Sequence, residues 1–246
     1  MSWLVEKSWW MGIYDNIIMK NLSLNFKADQ EATDLLSNVL SSHPYVMEYA
    51  ELKTMFVGVK EAIVFGCGES LVQDIEHLVE KGELSGKLLI AADGATTILL
   101  KHNIIPNIIV SDLDGLIADI LRASLNGAVT IIHAHGDNVD RITRFVPMFK
   151  GRLLGSTQVE PRPHVYNFGG FTDGDRGVFV ALALGINRNY LAGFDLMGEP
   201  HSCPGKLVPF NKRVKKRKLE IARLLLKSLQ ERGVQFLHVG GGIHEL

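Results

Sequence analysis

The 246-residue sequence is poor in cysteine, with only Cys67 and Cys203. Two cysteines cannot staple a small secreted scaffold. Both are expected to be plain thiols in a reducing compartment. The sequence also lacks any apolar run of the length a transmembrane helix needs, so no membrane partner is expected. Its start, Met-Ser-Trp-Leu-Val-Glu-Lys, places Glu6 and Lys7 where a signal peptide would carry its apolar core, and a cytoplasmic protein is expected. Neither sign of charge dominates: 26 Lys and Arg stand against 27 Asp and Glu. That balance provides no broad basic field for nucleic acid. There is no Walker A motif, no Gly-Xaa-Gly-Xaa-Xaa-Gly fingerprint and no nucleophile elbow. P-loop NTPase, dinucleotide dehydrogenase and hydrolase readings all lose ground.

What is present is ordinary for a folded protein, with one exception. Apolar residues make up 46% and charged residues 22%, which excludes wholesale disorder. The length allows one large domain, or one domain with a small appendage. The exception is glycine, 24 residues with no collagen period and no linker-like run.

Two regimes divide the chain. Residues 1–60 are short of strand signals and read as a small, mainly helical N-terminal segment. After an aromatic start (Trp3, Trp9, Trp10, Tyr14), the spacing predicts a helix over 29–40 with Asp29 as its N-cap, and a second helix over 45–56. Residues 61–246 read as an α/β domain. Short apolar runs at 62–65, 88–91, 108–110, 129–132, 164–167, 190–192 and 235–239 alternate with helical stretches near 69–82, 95–103, 115–126, 138–149, 173–185 and 211–232. This alternation predicts a Rossmann-like, mostly parallel sheet with helices on both faces.

About half of the glycines fall just after these strands: Gly66, Gly68, Gly94, Gly115, Gly136, Gly169, Gly170, Gly193 and Gly240 to Gly242. Ligands of open α/β sheets bind beyond the carboxyl ends of the strands, where glycine lets backbone N–H groups approach an anion. Acids fall there too: Asp93, Asp112, Asp114, Asp137, Asp173 and Asp175. Asp112 and Asp114 are two apart, so on extended chain they point to one side. Carboxylates ~6 Å apart repel by roughly 3 kcal/mol at an effective dielectric of ~20. A cation between them turns that cost into a gain. Hard oxygen donors favour Mg²⁺, which takes one or two carboxylates plus substrate phosphates. Any one of these acids could simply cap a helix, Asp137 and Asp173 above all. Four such strand ends with paired acids and adjacent glycines point instead to a shared metal–phosphate site.

Three other features bear on the chemistry. His133 and His135 face one side of a strand, but zinc would lack an obvious third ligand. Arg141 and Arg176 could reach phosphate oxygens, Arg176 from the same loop as Asp173. The run from Lys212 to Lys218 reads as a solvated helix face that could fold one or two lysines over a triphosphate.

Three segments then carry a family resemblance: Ala91-Ala92-Asp93-Gly94-Ala95, Pro106 through Ser111-Asp112-Leu113-Asp114-Gly115, and Phe171-Thr172-Asp173-Gly174-Asp175-Arg176. In that order they resemble the catalytic domain of thiamin pyrophosphokinases, with Ser111 standing for the usual Gly and Gly115 for the usual Ser. The His133-Ala134-His135-Gly136-Asp137-Asn138 and Asn167-Phe168-Gly169-Gly170-Phe171 segments are more similar to archaeal-type 6-hydroxymethyl-7,8-dihydropterin pyrophosphokinases. The resemblance spans about 61–195.

It implies Mg²⁺-dependent transfer of diphosphate from ATP to the hydroxymethyl group of a pterin, releasing AMP. On that footing Asp93, Asp112, Asp114 and Asp173 would hold metal. Asp112, Asp114, Asp173 and Arg176 would carry the catalysis. Asp93, Gly94, Gly136, Asp137, Asn138, Gly169, Gly170 and Thr172 would bind nucleotide. Phe168, Phe171, Phe194 and Asp195 are candidates for the pterin. The expected partners are ATP and a small pterin, with a homodimer expected from the resemblance and the aromatic N-terminus, and no nucleic acid. Two alternatives stay open. One is a thiamin pyrophosphokinase, which normally carries a β-rich C-terminal domain where this sequence ends in a long helix and one strand. The other is a noncatalytic nucleotide- or nucleotide-sugar-binding module, as in distant relatives attached to flagellin-modifying proteins.

Overall fold

The computed structural model describes residues 2–22, 24–200, 202–203 and 205–239. The predicted Gly240 to Gly242 lie outside them. The helices are α1 (Lys7–Ile13), α2 (Met19–Leu22), α3 (Phe26–Ser41), α4 (Tyr49–Met55), α5 (Leu71–Lys81), α6 (Ala95–Lys101), α7 (Ile117–Leu125), α8 (Val139–Phe145), α9 (Asp173–Ala183) and α10 (Lys212–Glu231). The strands are β1 (Glu61–Phe65), β2 (Leu88–Ala92), β3 (Ile108–Ser111), β4 (Val129–Ala134), β5 (Leu153–Thr157), β6 (Val165–Tyr166), β7 (Arg188–Ala192) and β8 (Gln235–His238). They form one sheet in the order β6-β5-β4-β3-β2-β1-β7-β8. Every ladder between them is parallel.

The predicted α/β class is what the chain adopts. Alternation within each strand sorts the core onto two faces. Val64, Ile90, Val110 and Ile131 meet Trp10 of α1, Val178 of α9 and Ile221 of α10. Their neighbours point the other way. Ile109 and Ile132 meet Leu36 of α3 and Ile120 of α7, while Ile63 and Ala91 meet Ile75 of α5 and Leu99 of α6. Each fully buried Leu, Ile or Val contributes about 1.5–3 kcal/mol. From β1 the chain runs outward through β2 to β6, then returns to place β7 on the opposite side of β1. That reversal is the topological switch point, and the cavity described below opens over it.

Several local expectations are corrected. The first long helix begins earlier than expected. Asn25 caps it, its side chain accepting from the Lys27 and Ala28 N–H groups, so Asp29 is not the N-cap. The helix predicted over 45–56 spans only Tyr49–Met55, held by reciprocal capping between Glu48 and Glu51. Strand β5 was not anticipated. Trp3 and Val46 of the N-terminal segment reach the sheet's margin, bridging to Asn167 and Leu153. Cys67 and Cys203 are joined as a disulfide rather than left as thiols, their Cα atoms 5.9 Å apart. The two lie 136 residues apart in sequence, on a strand-end loop and a distant strap that only the fold brings together. No helix among the described residues is long and apolar enough to cross a membrane.

Candidate active site

At the carboxyl end of β2 the chain turns sharply, and Asp93 takes a left-handed φ of 40°. At the end of β3, Leu113 does the same at 64°, which presents Asp112 and Asp114 on either side of it. Non-glycine residues in this region carry strain of order 1–3 kcal/mol, and such strain gathers at functional sites. Ser111 braces the turn: its hydroxyl donates to Asp93 Oδ1 at 2.5 Å and accepts from the Leu113 N–H at 2.9 Å. Gly115 makes room, since a Cβ there would lie 2.5 Å from Asp93 Oδ2.

Asp173 joins from α9. Thr172 caps that helix and Asp175 answers it in a reciprocal capping box. Asp173 is therefore not the cap, and its carboxyl faces the cavity. Likewise Asn138, not Asp137, occupies the N-cap of α8. Asp93, Asp112 and Asp173 each offer an oxygen, and these oxygens lie within 4.8 Å of one another. Three hard donors at this spacing could hold a divalent metal. Asp114 stands apart from that triad and pairs with Lys206, whose ammonium also donates to Asp93 Oδ2 at 3.0 Å.

The crowding shows in the acidities. Burial, then repulsion from Asp112 and Asp93, pushes Asp114 up to about 8 and raises Asp173 well above the carboxylate range. Burial also works against a charged Asp112, but hydrogen bonding from His135 and the nearby Lys206 hold it well below that range. His135 Nε2 lies 3.2 Å from Asp112 Oδ2. Lys206 stays charged despite burial because Asp93, Asp112 and Asp114 surround it.

The cavity over these acids measures about 360 Å³. Its lining includes Gly66 to Gly68 and Gly193 to Asp195 at the switch-point crevice, together with His135, Gln158 and Phe171. Of the expected nucleotide-binding residues, Asp93, Gly94, Asp137 and Thr172 line it. Gly136, Asn138, Gly169 and Gly170 do not. Asn138 is fully buried, its Nδ2 donating to the Asp112 and His133 carbonyls. A Cβ on Gly170 would strike the Arg176 backbone at 2.4 Å.

Arg176 is a correction. It is fully buried, and its guanidinium donates to the Gly169 and Phe171 carbonyls at 3.1 Å. Burial lowers its pKa to about 10. It braces the 169–171 loop from below and does not reach the cavity. Three residues past Asp173 is the inner side of a helix covered on both faces. Arg141 is similarly occupied, its Nε donating to the Asp112 carbonyl at 3.3 Å.

The two histidines do not converge on one metal. The His133 ring nitrogens face Ser156 Oγ at 3.2 Å and Arg176 Nη2 at 3.0 Å. Burial first, then Arg176, keeps His133 neutral. Of the pterin candidates, Phe171, Phe194 and Asp195 line the cavity, while Phe168 is core.

Sequence reasoning missed Lys206, which sits on an irregular strap between β7 and α10. It also missed the role of Asp29. That carboxylate accepts from Tyr14 Oη at 2.6 Å, Gln158 Nε2 at 2.7 Å and the Gly136 N–H at 2.8 Å. The N-terminal segment thereby fastens the loop after β4. Lys215 and Lys218 of the basic run do line the cavity.

The fold and site together define a Rossmann-like α/β protein with a carboxylate-lined cavity at its switch point. The sequence matches the family described as 6-hydroxymethylpterin diphosphokinase MptE-like over residues 37–199. It is 38% identical over 235 residues to a 6-hydroxymethyl-7,8-dihydropterin pyrophosphokinase of Methanothermobacter thermautotrophicus, covering 93% of this chain and 97% of that one. The enzyme of the same name from Pyrococcus furiosus is 40% identical over 189 residues, 77% of this chain and 78% of that one. The chain belongs to the MptE-like 6-hydroxymethylpterin diphosphokinase family. Among solved structures, the fold is similar to the MAf glycosyltransferase of Magnetospirillum magneticum, with a TM-score of 0.50 at 17% identity. That likeness covers 83% of this chain but only 32% of the larger one, and it concerns the fold alone.

Proposed function

We propose that the protein is a 6-hydroxymethyl-7,8-dihydropterin diphosphokinase that uses ATP and Mg²⁺ and releases AMP. The observation that carries this reading is the convergence of Asp93, Asp112 and Asp173 within 4.8 Å over the switch point, in a chain of this family. The donor set fits Mg²⁺: all oxygens, mutually repelling, with two of the nearby acids pushed toward protonation until a cation relieves them. When bound, the metal supplies charge neutralisation for the β- and γ-phosphates.

The pterin's hydroxymethyl oxygen attacks the β-phosphorus of ATP. The bond from that phosphorus to the oxygen bridging to the α-phosphorus breaks, and AMP leaves with that oxygen and its electron pair. Such transfer asks a protein for positioning and electrostatics more than for covalent chemistry. Asp93, Asp112 and Asp173 would hold the metal. Asp173 also orients the nucleophile, whose proton passes to solvent as the bond to phosphorus forms. Gly94 and Thr172 edge the phosphates where they enter the cavity. Phe171 and Phe194 offer the pterin ring flat apolar faces, and Asp195 an acceptor for its amino and ring N–H donors. Residues 61–246 form the catalytic domain, and residues 1–60 complete it through Asp29.

The test is AMP release from ATP and Mg²⁺ with 6-hydroxymethyl-7,8-dihydropterin as acceptor, against thiamin. Release with the pterin alone is expected. No release with either acceptor, or release with thiamin alone, overturns the reading.

A further inference from the structure

Lys206 lies outside the acidic motifs, yet it pairs with two of their carboxylates. Its ammonium donates to Asp93 at 3.0 Å and to Asp114. Its side chain is 21% exposed, so it lies inside the cavity rather than across its mouth. The strap that carries it is anchored on either side. Cys203 is bonded to Cys67 beside β1, and the Leu207 N–H donates to the Asp114 carbonyl at 2.6 Å. The backbone is thus held over the site while the four-carbon side chain keeps its own freedom.

One ammonium does not balance this site. It pairs with Asp93 and Asp114, while Asp112 leans on His135 and Asp173 has no partner cation within bonding distance among the described residues. An ammonium offers three donors from a compact, movable charge. A divalent metal gathers more oxygens at shorter range. The two cations compete for Asp93, which belongs both to the Lys206 pair and to the metal-competent triad.

We propose that Lys206 is an exchangeable cation: it holds the acid cluster until metal and nucleotide enter, then swings from Asp93 to the phosphates and serves there as a catalytic residue. This rests on the diphosphokinase reading for its second half only. After the swing, the ammonium lies over the β- and γ-phosphates and stabilises the charge that builds as the bond to AMP breaks. Lys215 and Lys218 line the same cavity and give the displaced charge a like-signed wall that favours its settling on anions.

The test pairs two measurements on Lys206→Met. Titration calorimetry with Mn²⁺ alone, without nucleotide, is expected to show affinity about tenfold tighter than in the parent, because the competing charge is gone. Turnover with ATP and the pterin is expected to fall about 100-fold in kcat with little change in pterin KM, and Lys206→Arg to recover part of it. A merely structural lysine would move both readings downward together. Weaker or unchanged metal affinity, or kcat within twofold of the parent, overturns the proposal.

Should Lys206→Met not fold, the parent protein decides through acetylation of Lys206 read by peptide mass spectrometry. Labelling is expected to rise with Mg²⁺ alone and fall again when α,β-methylene-ATP is added. Labelling indifferent to Mg²⁺ overturns the exchange. If the parent releases no AMP yet Lys206→Met still binds Mn²⁺ more tightly, the exchange stands and the diphosphokinase reading fails.

Discussion

Gly115→Ala tests the acid cluster with one methyl group. Gly115 does not need a left-handed backbone, so alanine meets no φ penalty there. The added Cβ would lie 2.5 Å from Asp93 Oδ2, 2.9 Å from Cγ and 3.0 Å from Oδ1. A comfortable carbon–oxygen contact is ~3.3 Å, so the carboxylate must retreat by roughly 0.8 Å. It can do so only by stretching its bonds to Ser111 and Lys206. A short side chain yields more cheaply than backbone, so stability should drop by about 1–2 kcal/mol, at the lower end for overpacking. Catalysis is less forgiving: a displacement near 1 Å at the reacting groups costs about 100-fold. The assay is kcat/KM for AMP release, with thermal unfolding followed in parallel. A variant that folds and turns over within threefold of the parent would refute the claim that the position of Asp93 matters.

Other consequences are open to direct measurement. Asp112→Asn should lower kcat by about 10²–10³-fold, the scale for removing one group that stabilises transition-state charge, while the circular dichroism melt stays close to the parent's; undiminished turnover under saturating Mg²⁺ would take Asp112 out of the site. The carboxyl of Asp173, a proposed metal ligand, is pushed well above the carboxylate range, so a metal binding there must displace its proton. Metal affinity should therefore climb, by up to about tenfold per pH unit, as pH rises toward that raised pKa and level off above it; calorimetry in buffers of different ionisation enthalpy should find proton release, and a flat profile would contradict the assignment. Asp29→Ala leaves the Gly136 N–H, Tyr14 and Gln158 without their acceptor. At about 1–3 kcal/mol for each buried group left unpaired, a clear loss in urea unfolding is expected, and an unchanged midpoint would detach the N-terminal segment from the site's stability. The Cys67–Cys203 bridge closes a span of 136 residues, so Cys203→Ser should destabilise by up to ~5 kcal/mol on the chain-entropy account; equal melting with and without reductant would speak against the bridge.

The parts legible in the sequence were those written locally. β1 to β4 and the 164–167 run announce themselves as short apolar runs followed within a few residues by Asp or Gly, so Asp93, Asp112 and Asp173 could be assigned to one sheet edge from sequence. β5 was not legible, because Leu153-Leu154-Gly155-Ser156-Thr157 carries only two large apolar residues and owes its burial to β4 and α3. Arg176 misled for a related reason: charge and spacing suggested phosphate, but its helix is covered on both faces. Asp29 looked like a cap since acids favour first turns, whereas its partners lie on α1's continuation, β5's end and the 136 turn. Lys206 and the cysteine pair sit on a strap with no periodicity, and only the tertiary fold brings them to the acids.

The most direct measurement is a crystal structure with Mg²⁺, α,β-methylene-ATP and the pterin. Metal is expected on Asp93, Asp112 and Asp173, with the hydroxymethyl oxygen facing the β-phosphorus. Metal bound away from these carboxylates, or a pterin seated where its hydroxymethyl group cannot reach that phosphorus, would contradict it.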